Sequence, residues 1–207
     1  MPKIALVFGA TGISGQAVID VLLKDSSYER VIGISRRPID RKGVVHISID
    51  LDVSKACPNL KSFHLQTGYK YYMPGFTAEE FPPLPFKEDS KRQAHVHNFY
   101  YHQEDKLAAV TEDHGWNWTV SRPCAIPGYS KGNWMSVSVT AALYAFGCKE
   151  FDEKLHYPGP LVCYDMGYDN STAKNNAEFQ LYAVENAHNR AFSINYGKPY
   201  QFSTLWP

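Results

Sequence analysis

Residues Ile4–Gly15, IALVFGATGISG, decide how the rest of the chain is read. Four apolar residues, Ile4 to Val7, form a run that suits a strand buried on both faces. The Gly9-x-x-Gly12-x-x-Gly15 spacing then turns the chain into a helix. Without a Cβ, Gly9 and Gly12 let the backbone bend and approach a pyrophosphate, and Gly15 lets the helix pack close to the strand. The first N–H groups of that helix then face the anion. A strand before the glycines and a helix after them is the context that turns a weak motif into a dinucleotide-binding one.

Working outward, Gly15 to Lys24 carries Val18, Val21 and Leu22 at helical spacing, and Val31 to Ser35 reads as the second strand. Its end, Ser35-Arg36-Arg37-Pro38, falls where an NAD-specific site carries an acidic residue for the ribose. Ser35 and two guanidinium groups stand there instead. Their planar, permanently charged donors suit a 2′-phosphate, so NADPH is the expected cofactor. Val44 to Leu51 is the third strand, with Asp50 and Leu51 at the adenine end.

The next strand-like run is Leu60 to Gln66. In a doubly wound sheet it lies on the other side of the first strand, beyond two crossovers and a further strand. Only Asp52 to Asn59 are available, and one parallel crossover alone needs a dozen or more residues. A segment is therefore missing here, either deleted in the protein or absent from an incomplete sequence. The expected result is an open apolar edge beside the first strand.

Leu65 to Lys70, LQTGYK, leaves the carboxyl end of its strand, the edge where open parallel sheets bind ligands, which places Thr67 and Lys70 well for chemistry. A proline-rich surface segment, Pro74 to Pro85, follows. Asn98 to Glu112 is predicted helical, with Tyr101, Leu107, Ala108 and Val110 inward. Trp118 to Ser121 is a strand that runs into the loop Arg122-Pro123-Cys124-Ala125-Ile126-Pro127-Gly128. Further on, the pattern predicts a helix from Trp134 to Cys148, a short strand from Leu155 to Tyr157, a helix from Ser171 to Ala187 and a last strand from Ala191 to Tyr196. The whole reads as α/β: a Rossmann-type doubly wound parallel sheet over residues 1–128, then a small substrate-binding portion, 129–207, that includes the returning helix and last strand.

Composition narrows the class. The 207 residues are 44% hydrophobic, and 21 basic side chains balance 21 acidic ones. That is enough to bury a core, and the absence of a basic block argues against nucleic acid. No long apolar run or secretory leader is visible, so no membrane association and a cytoplasmic location are expected. Cys57, Cys124, Cys148 and Cys163 lack metal or disulfide spacing, so four free thiols and no metal are expected.

The succession GATGISG, SRRP, LQTGYKYYM, NFYYHQED, RPCAIPG and AFSINYG resembles, in order and type, the progesterone 5β-reductase and iridoid synthase family of atypical extended short-chain dehydrogenases. The resemblance implies reduction of the carbon–carbon double bond of enones with NADPH. It also implies that Tyr101 is the catalytic tyrosine and Lys70 the catalytic lysine, and that Gly9, Thr11, Gly12, Ile13, Arg36, Arg37, Asp50, Thr67 and Ile126 contact the cofactor. Gly15, Ser35, Leu51 and Pro123 share those segments. Asp105 stands four residues after Tyr101, so the usual Tyr-x-x-x-Lys pair is absent and Lys70 has to act from the neighbouring strand. Tyr100 reads as packing. Tyr129, Trp134 and Met135 are candidates for the wall of a pocket for a small hydrophobic enone or ketone. A ketone reductase or epimerase-like enzyme and a catalytically silent dinucleotide-binding protein remain as alternatives, and a homodimer is compatible with the architecture.

Overall fold

In a computed structural model the described residues are 3–37, 39–47, 57–72, 85–93, 96–131 and 136–206. The chain alternates strand and helix through β1 (Lys3–Phe8), α1 (Ile13–Leu22), β2 (Tyr28–Ile34), β3 (Val44–Ile47) and β4 (Ser62–Gln66). It continues with α2 (Phe99–His114), β5 (Asn117–Pro123), α3 (Val137–Glu150), α4 (Leu161–Asp165), α5 (Ala173–Asn186), β6 (Arg190–Ile194) and α6 (Phe202–Leu205).

The strands form two three-stranded parallel sheets, β1-β2-β3 and β4-β5-β6. Each follows the order of one half of a doubly wound sheet. Between them, among the described residues, no backbone ladder joins β1 to β4. This is the place where too few residues connect the third and fourth strands. The expectation that β1 is buried on both faces fails accordingly: Ile4 is 52% and Phe8 44% exposed, and among the described residues β1 pairs only with β2 and no strand lies along its other edge.

In the first half, Val7, Ala10, Ile19, Leu22 and Val31 make a fully apolar core, with Val18, Ile39, Val44 and Leu181 against it. Ile19 and Leu22 lie on the face of α1 that meets the sheet, as helical spacing dictates. Leu181 comes from α5, which packs along α1 and ties the second half to the first.

The second half is organised differently. α2 starts at Asn98, whose Oδ1 accepts the Tyr100 N–H at 3.0 Å, and stops at Gly115 in the left-handed region. Its fully buried positions are Glu104 and Thr111, while the expected inward residues Tyr101, Leu107, Ala108 and Val110 are only half-buried. The cause lies in the strand beneath: β5 presents Arg122 to the helix, and Glu104 turns inward to pair with it.

α3 begins at Val137 because Ser136 caps it, its Oγ accepting from the Val139 N–H at 3.4 Å. None of its residues is buried, and Val137, Leu143 and Phe146 are exposed. The expected strand Leu155 to Tyr157 is not one. That segment instead borders an aromatic cluster of Tyr157, Tyr164, Tyr168, Tyr200, Phe202 and Trp206, and the Trp206 indole donates to the Leu155 carbonyl at 2.8 Å. All four cysteines are unpaired, and among the described residues no helix is long and apolar enough to cross a membrane.

Candidate active site

Parallel strands bring the predicted residues to one edge, since every strand ends there. In the first half, Gly9 has φ +68°, a left-handed conformation that a side chain would strain, and its N–H donates to the Ile34 carbonyl at 2.9 Å. Gly12 caps α1 without a side-chain hydrogen bond, leaving the helix's first N–H groups for a ligand. Gly15 is held tightest: a Cβ there would lie 2.3 Å from the Gly9 carbonyl oxygen.

Ser35, Arg36 and Arg37 follow β2 at the same edge. Ser35 Oγ donates to the Arg37 carbonyl at 2.7 Å and meets His46 Nε2 at 3.3 Å, which shapes the tip that carries the two exposed guanidinium groups. Asp50 and Leu51 lie outside the described residues, as do Trp134 and Met135.

The edges of the two halves meet. Thr11 presents its carbonyl to Ser130 Oγ at 2.7 Å, and a Cβ on Gly128 would come 2.8 Å from Ile13 Cγ2. The loop that carries Pro123 and Ile126 therefore lies against the glycine turn. Past it, Tyr129 is exposed and lines, with Gly128, Val139, Ala142, Leu143 and Phe146, an open apolar groove of about 470 Å³.

The second half holds the groups able to move a proton. Lys70 lies in a single 3-10 turn, Tyr69–Tyr71, directly beyond β4, and is exposed. Its carbonyl accepts from Asn98 Nδ2 at 2.6 Å while Asn98 Oδ1 takes the Tyr100 N–H, so one buried amide pins the lysine turn to the start of α2. Sequence reasoning missed Asn98; the Asn at a helix N-cap was its available signal.

The two tyrosines of α2 point to different surroundings. Tyr101 Oη donates to the Tyr71 carbonyl at 2.9 Å and accepts from the Gln93 N–H at 3.1 Å. Its ring stands edge-on to Tyr71 at 4.9 Å, with the Arg92 guanidinium 5.0 Å from the ring centre. That hydroxyl is engaged on both sides. Tyr100, expected to pack, has no hydrogen-bond partner for its hydroxyl among the described residues. It faces the buried Gly68, where an added Cβ would lie 3.4 Å from Tyr100 Oη and 3.3 Å from the Pro123 carbonyl. Burial raises the Tyr100 pKa, which keeps it a donor at neutral pH.

Behind these residues Arg122 grips Glu104, Nε to Oε1 at 3.0 Å and Nη2 to Oε2 at 2.5 Å, and both side chains are buried. Thr67 Oγ1 donates to the same carboxylate at 3.2 Å, and Arg122 Nη1 donates to Tyr72 Oη at 2.9 Å. The Arg122 guanidinium also lies 3.3 Å from the centre of the Tyr71 ring. Burial alone would lower the Arg122 pKa, but the bonds to Glu104 and Tyr72 hold it above the usual value. Thr67, expected at the cofactor, thus has its hydroxyl committed to fastening β4 to α2.

The family model described as a PRISE-like Rossmann-fold domain matches residues 42–194. An uncharacterized Schizosaccharomyces pombe protein is 29% identical over 264 aligned positions, which take in 99% of this chain and 64% of that protein. A chain of 207 residues leaves more than fifty of those positions without a counterpart. An (S)-8-oxocitronellyl enol synthase of Nepeta cataria is 36% identical over 155 residues, 72% of this chain and 40% of that enzyme. The chain thus spans between two-fifths and two-thirds of the length of these relatives. Among solved structures, a Thermus thermophilus UDP-glucose 4-epimerase in complex with NAD superposes with a TM-score of 0.68 at 13% identity, over 98% of this chain and 81% of that one. That likeness is one of fold. The glycine turn, the parallel half-sheets and the family match agree: the chain belongs to the PRISE-like Rossmann-fold family.

Proposed function

We propose that the chain carries the reductase centre of an NADPH-dependent enzyme that saturates the carbon–carbon double bond of a small hydrophobic enone. The single observation that supports it most is the half-buried hydroxyl of Tyr100, without a hydrogen-bond partner among the described residues and set against Gly68 at the end of β4, beside the Lys70 turn.

The residues present fit a dinucleotide. The close approach at Gly15 and the uncapped start of α1 suit a pyrophosphate, and Arg36 and Arg37 suit a 2′-phosphate. When bound, NADPH supplies the hydride, delivered to the enone β-carbon. Negative charge then grows on the carbonyl oxygen, and the Tyr100 O–H stabilises it by a hydrogen bond, with the Lys70 ammonium lowering the cost of that charge. Asn98 sets the spacing of the two backbones. Tyr101 is assigned to holding the Tyr71 and Gln93 segments in place rather than to proton donation. The apolar groove beside Tyr129 suits a hydrophobic substrate.

The test is NADPH oxidation with a panel of small enones and saturated ketones, using Tyr100→Phe and Tyr101→Phe. Tyr100→Phe is expected to cut turnover by a factor of about 100 or more with NADP binding unchanged, in line with a lost general acid or charge-stabilising donor. Tyr101→Phe is expected to lower stability first. Full turnover in Tyr100→Phe overturns the assignment. Preference for saturated ketones would move the reading to a ketone reductase, and cofactor-dependent stabilisation without any turnover to a silent nucleotide-binding protein.

A further inference from the structure

The proposed chemistry needs groups from both half-sheets in one place: the glycine turn and the arginine tip from the first, Tyr100 and Lys70 from the second. In an unbroken sheet a backbone ladder fixes such a register. Here, among the described residues, none links β1 to β4, and side chains take over that task. Gln66, the last residue of β4, is bonded on both sides. Its Nε2 donates to Ser14 Oγ in the first turn of α1 at 3.0 Å, and its Oε1 accepts from Gln180 Nε2 of α5 at 2.7 Å. The same Gln180 Nε2 reaches Ser121 Oγ of β5 at 3.5 Å, and Ser121 Oγ meets His64 Nε2 at 3.0 Å.

The chain His64–Ser121–Gln180–Gln66–Ser14 therefore runs from the interior of the second sheet to the helix that starts at the dinucleotide turn. Two residues beyond Gln66 comes Gly68, which Tyr100 faces. Among the described residues, the other side-chain hydrogen bonds between the halves lie elsewhere: Ser130 with the Thr11 carbonyl and Gln16 Nε2, and Glu185 with Lys3 and Tyr28.

We propose that Gln66 and Gln180 are positioning residues that hold the dinucleotide half-site in register with the tyrosine and lysine half-site. The proposal rests on the reductase reading for its kinetic consequence but not for its geometric one. Amide side chains suit the task because each offers a donor and an acceptor at fixed geometry, so one residue can bridge two elements without a buried charge. A displacement of about 1 Å between reacting groups costs on the order of a hundredfold in rate, so a small loss of register is visible in kcat.

The test compares Gln66→Met, Gln180→Met and the double variant, with Ser14→Ala breaking the same bridge from its other end. Gln66→Met is expected to lower kcat by about ten- to a hundredfold while the KM for NADPH and the Kd for NADP+ stay within about twofold. The double variant is expected to be no worse than Gln66→Met, because the residues act as one chain. A second readout needs no activity: spin-labelled noncanonical residues at positions 24 of α1's C-terminal side and 106 of α2, whose distance distribution should broaden in Gln66→Met. An unchanged distribution, or additive losses in the double variant, overturns the positioning role. Absence of enone turnover in the unmodified protein instead overturns the reductase reading, and the spin-label distances still decide the role of Gln66.

Discussion

The two half-sheets differ in what they bury. The first buries Val7, Ala10, Ile19, Leu22 and Val31 against one another, a core without a polar side chain. The second buries Tyr71, Tyr72, Trp116, Val120, Ala177, Ala183 and Ile194 but adds Thr67, Glu104, Thr111, Thr119, Ser121, Arg122 and Gln180. The difference teaches where precision is needed. Apolar contacts are non-directional, which suffices beneath a turn proposed to hold its ligand through backbone N–H groups and exposed arginines. Directional hydrogen bonds and ion pairs fix side chains at stated angles, which suits the half proposed to aim a hydroxyl and an ammonium at a reacting centre.

The largest expected effect comes from the second half. Arg122→Met leaves the Glu104 carboxylate buried and unpaired, at a cost of about 3–5 kcal/mol, and Arg122→Met with Glu104→Leu should recover most of that loss. Urea denaturation of both variants checks it; equal instability of the single and the double would break the contrast, since the pair would then stabilise rather than orient. In the first half, Ile19→Ala should cost about 2–5 kcal/mol through lost transfer energy and a cavity, with no partner substitution able to restore it. A smaller effect sharpens the comparison by pH. Burial pushes the His64 pKa down to about 4, between Thr119 Oγ1 at 2.8 Å and Ser121 Oγ at 3.0 Å. The unfolded state binds the proton more readily, so stability from this residue is complete above about pH 6.5 and lost as the pH falls toward 4, by at most about 3 kcal/mol. His64→Gln should flatten the stability profile in that window, and an unchanged slope would show that another group sets it.

The first half was legible because its signals are local. The glycine spacing, the apolar strand and the charge at Arg36 and Arg37 each report on neighbours a few residues away. The second half was legible as elements but not as interior. Glu104 reads as solvent-facing by polarity, yet it is buried because its partners, Arg122 and Thr67, come from distant parts of the chain, and Thr111 is buried because its hydroxyl is satisfied by the Leu107 and Ala108 carbonyls of its own helix. The surroundings of Tyr100 and Tyr101 were beyond periodicity for a related reason. Successive helical residues point about 100° apart, so which tyrosine meets Gly68 and which meets Tyr71 depends on how α2 is rotated, and Asn98 and the Glu104–Arg122 pair fix that rotation. The missing neighbour of β1 was readable from the eight residues available between strands. So was the open apolar edge that it leaves; which side chains it exposes, Ile4 and Phe8, was not.

The division between the sheets also sets an order of events during synthesis. β1, β2 and β3 are consecutive in the chain, so their pairings close over one helix or one short connection. β5 has to pair with β4 across 55 residues and, through Trp118 and Asn189, with the start of β6 across 71. Loop closure over such spans is slow, so the glycine turn emerges from the ribosome before the second half and forms before it, and the half bearing Tyr100 and Lys70 waits for β6.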